Sequence, residues 1–160
     1  MWYMSRKQQH IDVRAVVPAP PAAVWADLAD GSTWPTWSPL GSYELVTPGS
    51  TGADAPLGEV RIFRTKQVVG ESVPREEVVE VVPERRLSYV VLDGMPLVDY
   101  RADVDLTPVE GGTEVRWRSS FTARRAWMGP VYRRMLGLFI QRCVDGLAAH
   151  HRSQVADAAA

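Results

Sequence analysis

Two ionisable residues interrupt strand-like stretches at positions where alternation would place an apolar side chain. Arg64 is in phase with Val60 and Ile62, and Glu77 is in phase with Val79 and Val81. A charge entering an apolar interior is costly unless paired or wetted, so both are candidates for holding a polar ligand group or for moving a proton. A guanidinium cannot shed its charge as an ammonium can. An inward Arg64 therefore needs an acceptor, supplied either by Glu77 or by a ligand. A bulge or a strand end would reverse the phase and put either group in solvent. Tyr89, Tyr100, Trp117 and Ser119 stand on apolar strand faces as further polar handles, and Trp37 comes from a short turn. No histidine is within reach of Ser119 by any sequence argument, so its hydroxyl is expected to satisfy a local hydrogen bond rather than act as a nucleophile. The sequence assigns no catalytic residue.

Other common chemistries lack their residues. His10 lies near the first strand and His150-His151 near the end of the last helix, and no HExxH or CxxC occurs, so no metal site is expected. No GxGxxG and no P-loop motif is present, and Gly111-Gly112 reads as a hairpin turn, so no nucleotide or other cofactor is expected. Cys143 is the only cysteine. It excludes an internal disulfide, reads as a core thiol, and suits a cytoplasmic location. The net charge of −1 argues against a nucleic-acid partner, with Arg124-Arg125 and Arg133-Arg134 read as solvated helix-end charges. No apolar run reaches the roughly 18 residues of a membrane span, and Met1 to His10 lacks the apolar segment of a leader. The expectation is a monomer or homodimer without stable membrane insertion.

The elements that must position these residues follow from periodicity. Ile11 to Val17 alternates Ile11, Val13 and Ala15 against Asp12, Arg14 and Val16, as a half-buried strand does. Pro20-Pro21 can open a helix through Asp30 with Val24, Trp25 and Leu28 as its apolar face, ended by Gly31. Ser32 to Pro39 then makes a short turn carrying two large rings, and Pro48 to Pro56 reads as a flexible loop at a pocket rim. Strands are expected at Ser42 to Thr47, Glu59 to Lys66, Arg75 to Val82, Leu87 to Leu92, Leu97 to Leu106 and Thr113 to Thr122, joined by short links. The Leu97 strand has the clearest phase, with Val98, Tyr100, Ala102, Val104 and Leu106 opposite Asp99, Arg101, Asp103 and Asp105. In the strand after it, Val115, Trp117, Ser119 and Phe121 oppose Glu114, Arg116 and Arg118. Ala126 to Val155 is a long helical pattern with two adjoining apolar rows: Met128, Tyr132, Met135 and Phe139, then Leu136, Ile140, Cys143 and Leu147. So broad a face needs a large surface, and a curved sheet gripping the helix supplies one. Composition of 46% hydrophobic and 23% charged residues suits one domain over 1–160, with a core of about 9–152 and frayed ends.

The run Val16 to Asp30 (VVPAPPAAVWADLAD), with its Val24-Trp25 helix, and Trp34-Pro35-Thr36-Trp37-Ser38-Pro39 together resemble the START-like, or SRPBCC, superfamily, within it the polyketide cyclase/dehydrase-like branch. Gly58, Pro83-Glu84-Arg85-Arg86-Leu87 and Gly111-Gly112-Thr113 resemble recurring turns of that family. The likeness spans about Ile11 to His150 and rests on turns and packing residues, so it speaks to fold more than to function. It implies an α+β helix-grip fold: about six to seven antiparallel strands curved around a long C-terminal helix, with two short helices after strand 1.

Such a fold implies an apolar cavity for a lipid, polyketide or isoprenoid. Trp37, Arg64, Glu77, Tyr89, Tyr100, Trp117, Ser119, Tyr132, Met135 and Phe139 are its expected lining. The same rings could instead close into solid core. Three functions remain open: cofactor-independent binding of an apolar small molecule, cyclase or dehydratase catalysis in the same cavity without metal or nucleotide, and a protein-interaction or regulatory module.

Overall fold

Alternating strands such as these bury one face only by curving around another element, and the computed structural model shows that arrangement for residues 6–67 and 70–160. The strands are β1 (Gln9–Val17), β2 (Ser42–Thr47), β3 (Val60–Lys66), β4 (Glu71–Ser72), β5 (Arg75–Val82), β6 (Arg86–Asp93), β7 (Leu97–Val109) and β8 (Gly112–Ala123). They form one antiparallel sheet in the order β1-β8-β7-β6-β5-β3-β2, with the two-residue β4 added to β3. β4 exceeds the expected strand count because a two-residue strand has no period to read. The β7–β8 hairpin turns at Glu110-Gly111, and Gly112 just after it has φ 148° and a Cβ that would lie 2.0 Å from the Val17 carbonyl oxygen, so only glycine fits.

β1 and β2 are the two edges of the sheet, and the helices between them span the gap. α1 (Pro21–Ala29) starts with proline in its first turn and buries Val24 and Leu28. α2 (Trp34–Trp37) is one turn long, and side-chain bonds hold it: Trp34 Nε1 donates to the Leu28 carbonyl at 3.1 Å, and Trp37 Nε1 donates to Thr33 Oγ1 at 3.2 Å. Both tryptophan rings therefore point inward as a plug.

α3 (Gly129–Ala158) packs along β1, β8 and α2, burying Ile140, Cys143, Val144, Leu147, Ala148 and His151. At its far end His151 Nε2 lies 2.7 Å from Asp27 Oδ2, tying the helix to α1. The helix continues through Ala156, where fraying was expected; the expected fraying of the first residues falls outside the described ones. On the convex face the alternation delivers a ladder of ion pairs, including Arg116 with Asp12, Arg118 with Asp105, and Arg101 with Glu80.

Candidate functional site

The ladder between β3 and β5 sets Arg61 directly opposite Glu76 on the concave face, and Glu59 precedes Arg61 by two residues on the same side. Arg61 is 0% exposed. Its Nε is 3.5 Å from Glu76 Oε2 and its Nη1 is 3.8 Å from Glu59 Oε1, close enough for ion pairing but not for hydrogen bonds. Arg61 Nε, Nη1 and Nη2 and Glu76 Oε2 all lack a hydrogen-bond partner. The guanidinium carbon instead sits 4.4 Å from the centroid of Trp34, 5.2 Å from that of Phe63 and 5.8 Å from that of Tyr89. Aromatic faces and two carboxylates balance the charge, while the directional N–H groups stay unmet.

The groups around Arg61 form an aromatic chamber. Trp34 stacks on Phe63 at 5.2 Å and meets Trp117 edge-on at 5.5 Å, and Tyr89 contacts Trp117 and Tyr100 at 6.2 Å. The hydroxyls of Tyr100 and Ser119 are 3.0 Å apart, while Trp117 Nε1 has no partner. Tyr43 donates to Glu59 Oε1 at 2.9 Å. Burial, partly offset by Arg61, lifts the Glu76 carboxyl to about 7. Burial likewise pushes the Tyr100 hydroxyl and the Cys143 thiol up to about 12, and Tyr89 well above its ordinary value. At neutral pH the phenols and the thiol are thus protonated donors, and Glu76 can hold or release a proton.

Tyr89, Tyr100, Trp117 and Ser119 are where alternation placed them, buried on the concave face. Trp37 is buried against Trp34 at 5.3 Å. Tyr132 and Phe139 are half-buried against the core. Three expectations are corrected. Arg64 lies on the outer face and pairs with Glu44 of β2, and Glu77 is half-buried on the outer side of β5. Their strands run in the opposite phase from the one expected. In β3 one phase sets Arg64 with Val60 and Ile62 and the other sets Arg61 with Phe63, and burying Phe63 in the aromatic cluster decides for Arg61. In β5 an irregularity between Val78 and Glu80 changes phase mid-strand, so Val81 does not report the side of Glu77. Met135 is 58% exposed. It sits about 100° around the helix from Leu136, outside the stripe that meets the sheet.

Arg61, Glu76, Glu59, Tyr43 and Trp34 are the site residues that sequence alone missed. The available signal was that Arg61 and Phe63 share a phase, which made a paired, inward Arg61 an equal alternative. Two hollows, of about 730 Å³ along Arg85, Arg86 and Arg116 and about 290 Å³ beside His10 and Ser120, open on the outer face of the sheet. Between sheet and α3 the rings around Arg61 are in contact. Val91 and Leu97 on the sheet and Tyr132, Leu136 and Phe139 on α3 pack against this core while only half-buried.

A family model described as polyketide cyclase / dehydrase and lipid transport matches residues 8–152, most of the chain. The chain belongs to this family. The sheet-and-helix arrangement is the helix-grip fold of the SRPBCC superfamily. Solved structures with the same fold include Ara h 8.0201, 17% identical over 92% of this chain and 99% of that one, with a TM-score of 0.74. The di-domain ARO/CYC StfQ from the steffimycin biosynthetic pathway is 14% identical over 93% of this chain and 52% of its own, with a TM-score of 0.75. Zhui aromatase/cyclase from Streptomyces is 16% identical over 93% of this chain and 96% of its own, with a TM-score of 0.69. At such identities the likeness is one of fold. No curated protein sequence matches this family member significantly. None of its described helices is long and apolar enough to cross a membrane, which says nothing about strands.

Proposed function

We propose that this protein binds an apolar small molecule of lipid, polyketide or isoprenoid type between the sheet and α3, with Arg61 as the polar anchor. The unmet, fully buried N–H groups of Arg61 carry this reading. A buried donor left without an acceptor costs about 1–3 kcal/mol, and a ligand carbonyl, enolate or carboxylate would recover that cost. Trp117 Nε1 is a second unmet donor in the same chamber. The ligand enters by displacing side chains at the half-buried end, between Tyr132 and Phe139 on α3 and Leu97 on the sheet. No cofactor takes part, and a chain with one cysteine suits the cytoplasm.

A second reading, catalysis of cyclisation or dehydration in the same chamber, is favoured by one observation: Glu76 titrates at about 7 beside an arginine. As a carboxylate, Glu76 would take a proton α to a ligand carbonyl, leaving an enolate held by the Arg61 N–H groups. Protonated Glu76 would then give that proton to a departing hydroxyl, releasing water and restoring the carboxylate.

Calorimetry with oleate and oleyl alcohol, matched chains that differ in the charge of the head, tests the anchor. Arg61→Met should weaken oleate by about 1.5–3 kcal/mol and spare the alcohol, whereas Arg64→Met should change neither. Equal losses for both probes in Arg61→Met, or a selective loss in Arg64→Met, would remove Arg61 as the anchor. Native mass spectrometry of the purified protein identifies any bound ligand to replace the probes.

A further inference from the structure

Between Glu114 and Asp145 the chain carries no acidic residue, although its net charge is only −1. Arg116 and Arg118, on the convex face, are paired with Asp12 and Asp105. The remaining arginines of this stretch, at 124, 125, 133, 134 and 142, are exposed, and no ion pair among the described residues involves them. Arg134 and Arg142 border an apolar stripe, Arg124 and Arg125 precede it, and Arg133, about 200° around the helix from Val131, lies on the far side. Trp127, Val131, Met135 and Leu138 are 69%, 45%, 58% and 56% exposed; the spacing of four and three residues puts Val131, Met135 and Leu138 on one side of α3, and Trp127 stands in the turn just before it. That side is opposite the buried row of Ile140, Val144 and Leu147. The N-terminal half of α3, with the turn before it, is therefore amphipathic twice over: one apolar face grips the sheet, and another points into solvent, edged with positive charge.

We propose that this outward face docks the protein reversibly onto an anionic phospholipid surface. Large apolar side chains gain by entering the boundary between headgroups and acyl chains, tryptophan suits that boundary, and arginines beside it meet lipid phosphates. Neither component is large enough alone, so binding needs both and stays peripheral. A second copy is the poorer occupant, because a two-fold contact through this face would set its arginines against the same arginines. Nucleic acid would satisfy the arginines but offers no apolar phase for Val131, Met135 and Leu138. The proposal does not rest on the ligand site, since the four stripe residues are exposed and none is among the core residues or those packed against them.

Flotation of the full chain with phosphatidylcholine vesicles, with and without phosphatidylglycerol, tests it. Binding is expected only with phosphatidylglycerol, and added salt should abolish it. Leu138→Ser and the pair Arg134→Gln/Arg142→Gln should each weaken it about tenfold. Circular dichroism should remain unchanged because these positions are exposed, and the stability-compensated pair Arg61→Met/Glu76→Leu should float as the wild type does, which separates this surface from the interior site. Absence of flotation, equal flotation with pure phosphatidylcholine, or indifference to Leu138→Ser would overturn the proposal. So would a lipid-free dimer that Leu138→Ser converts to monomer, which would assign the face to a second copy.

Discussion

Arg61 and Glu76 face one another across the β3–β5 ladder, both buried, with Arg61 Nε 3.5 Å from Glu76 Oε2. Removing one partner leaves the other buried and uncompensated, which typically costs about 3–5 kcal/mol, whereas replacing both with apolar residues of similar volume is neutral or stabilising by about 1–4 kcal/mol. Arg61→Met should therefore destabilise the fold at pH 8, and Arg61→Met/Glu76→Leu should recover most or all of the loss. A double variant no more stable in chemical denaturation than Arg61→Met would mean that the pair is not energetically coupled.

Glu76 also sets a pH dependence. Its folded value, about 7, lies above the ordinary 4.5, so the folded state binds its proton more tightly than the unfolded chain does. Its contribution is then fully present below pH 4.5, declines as pH rises, and is gone above about 7. At roughly 1.4 kcal/mol per unit of displacement the loss is on the order of 3 kcal/mol. Denaturation midpoints should fall between pH 5 and pH 8, and Glu76→Gln should flatten that slope; an equal slope in the variant would assign the dependence to other groups.

The two halves of α3 should respond differently to truncation. Leu147 is fully buried, so Leu147→Ala should cost about 2–5 kcal/mol, while half-buried Phe139→Ala should fall below the roughly 3–5 kcal/mol of a packed ring. Thermal unfolding of the two variants checks this. A larger loss at Phe139 would show that the end assigned to ligand entry is the more tightly packed one.

Gly146 is where α3 meets α2. A Cβ there would stand 2.0 Å from the Trp37 carbonyl oxygen, a backbone atom that cannot move without displacing the tryptophan plug. Gly146→Ala should thus lower stability by about 1–3 kcal/mol despite the better helix propensity of alanine, whereas Gly137→Ala, which meets nothing within 4 Å, should be neutral or stabilising. Similar thermal midpoints for the two variants would argue against this close approach.

Much of the architecture was legible along the chain because some elements admit one phase only. β8, and β7 from Tyr100 onward, alternate without conflict, so Tyr100, Trp117 and Ser119 could be placed on the inner face, whereas a bulge at Asp99, φ 52°, packs Leu97 against the core in place of the expected Val98; β2 and β5 occupy the expected spans. The Trp34 to Trp37 turn and the long apolar helix likewise pointed to the helix-grip family. The polar centre was not legible. Val60, Arg61, Ile62, Phe63 and Arg64 offer an arginine to either face, and periodicity cannot choose between two phases of nearly equal apolar content. Packing chose: Phe63 joined Trp34 and Trp117, which carried Arg61 inward to Glu76 and left Arg64 outside with Glu44. Met135 shows the same limit on the helix, where two apolar rows were readable but only the sheet determined which would be covered. Sequence alone thus determined which elements form, because propensity and period are local. Which face of an ambiguous strand or helix is buried depends on what a distant segment brings to it, and only the tertiary structure decided that.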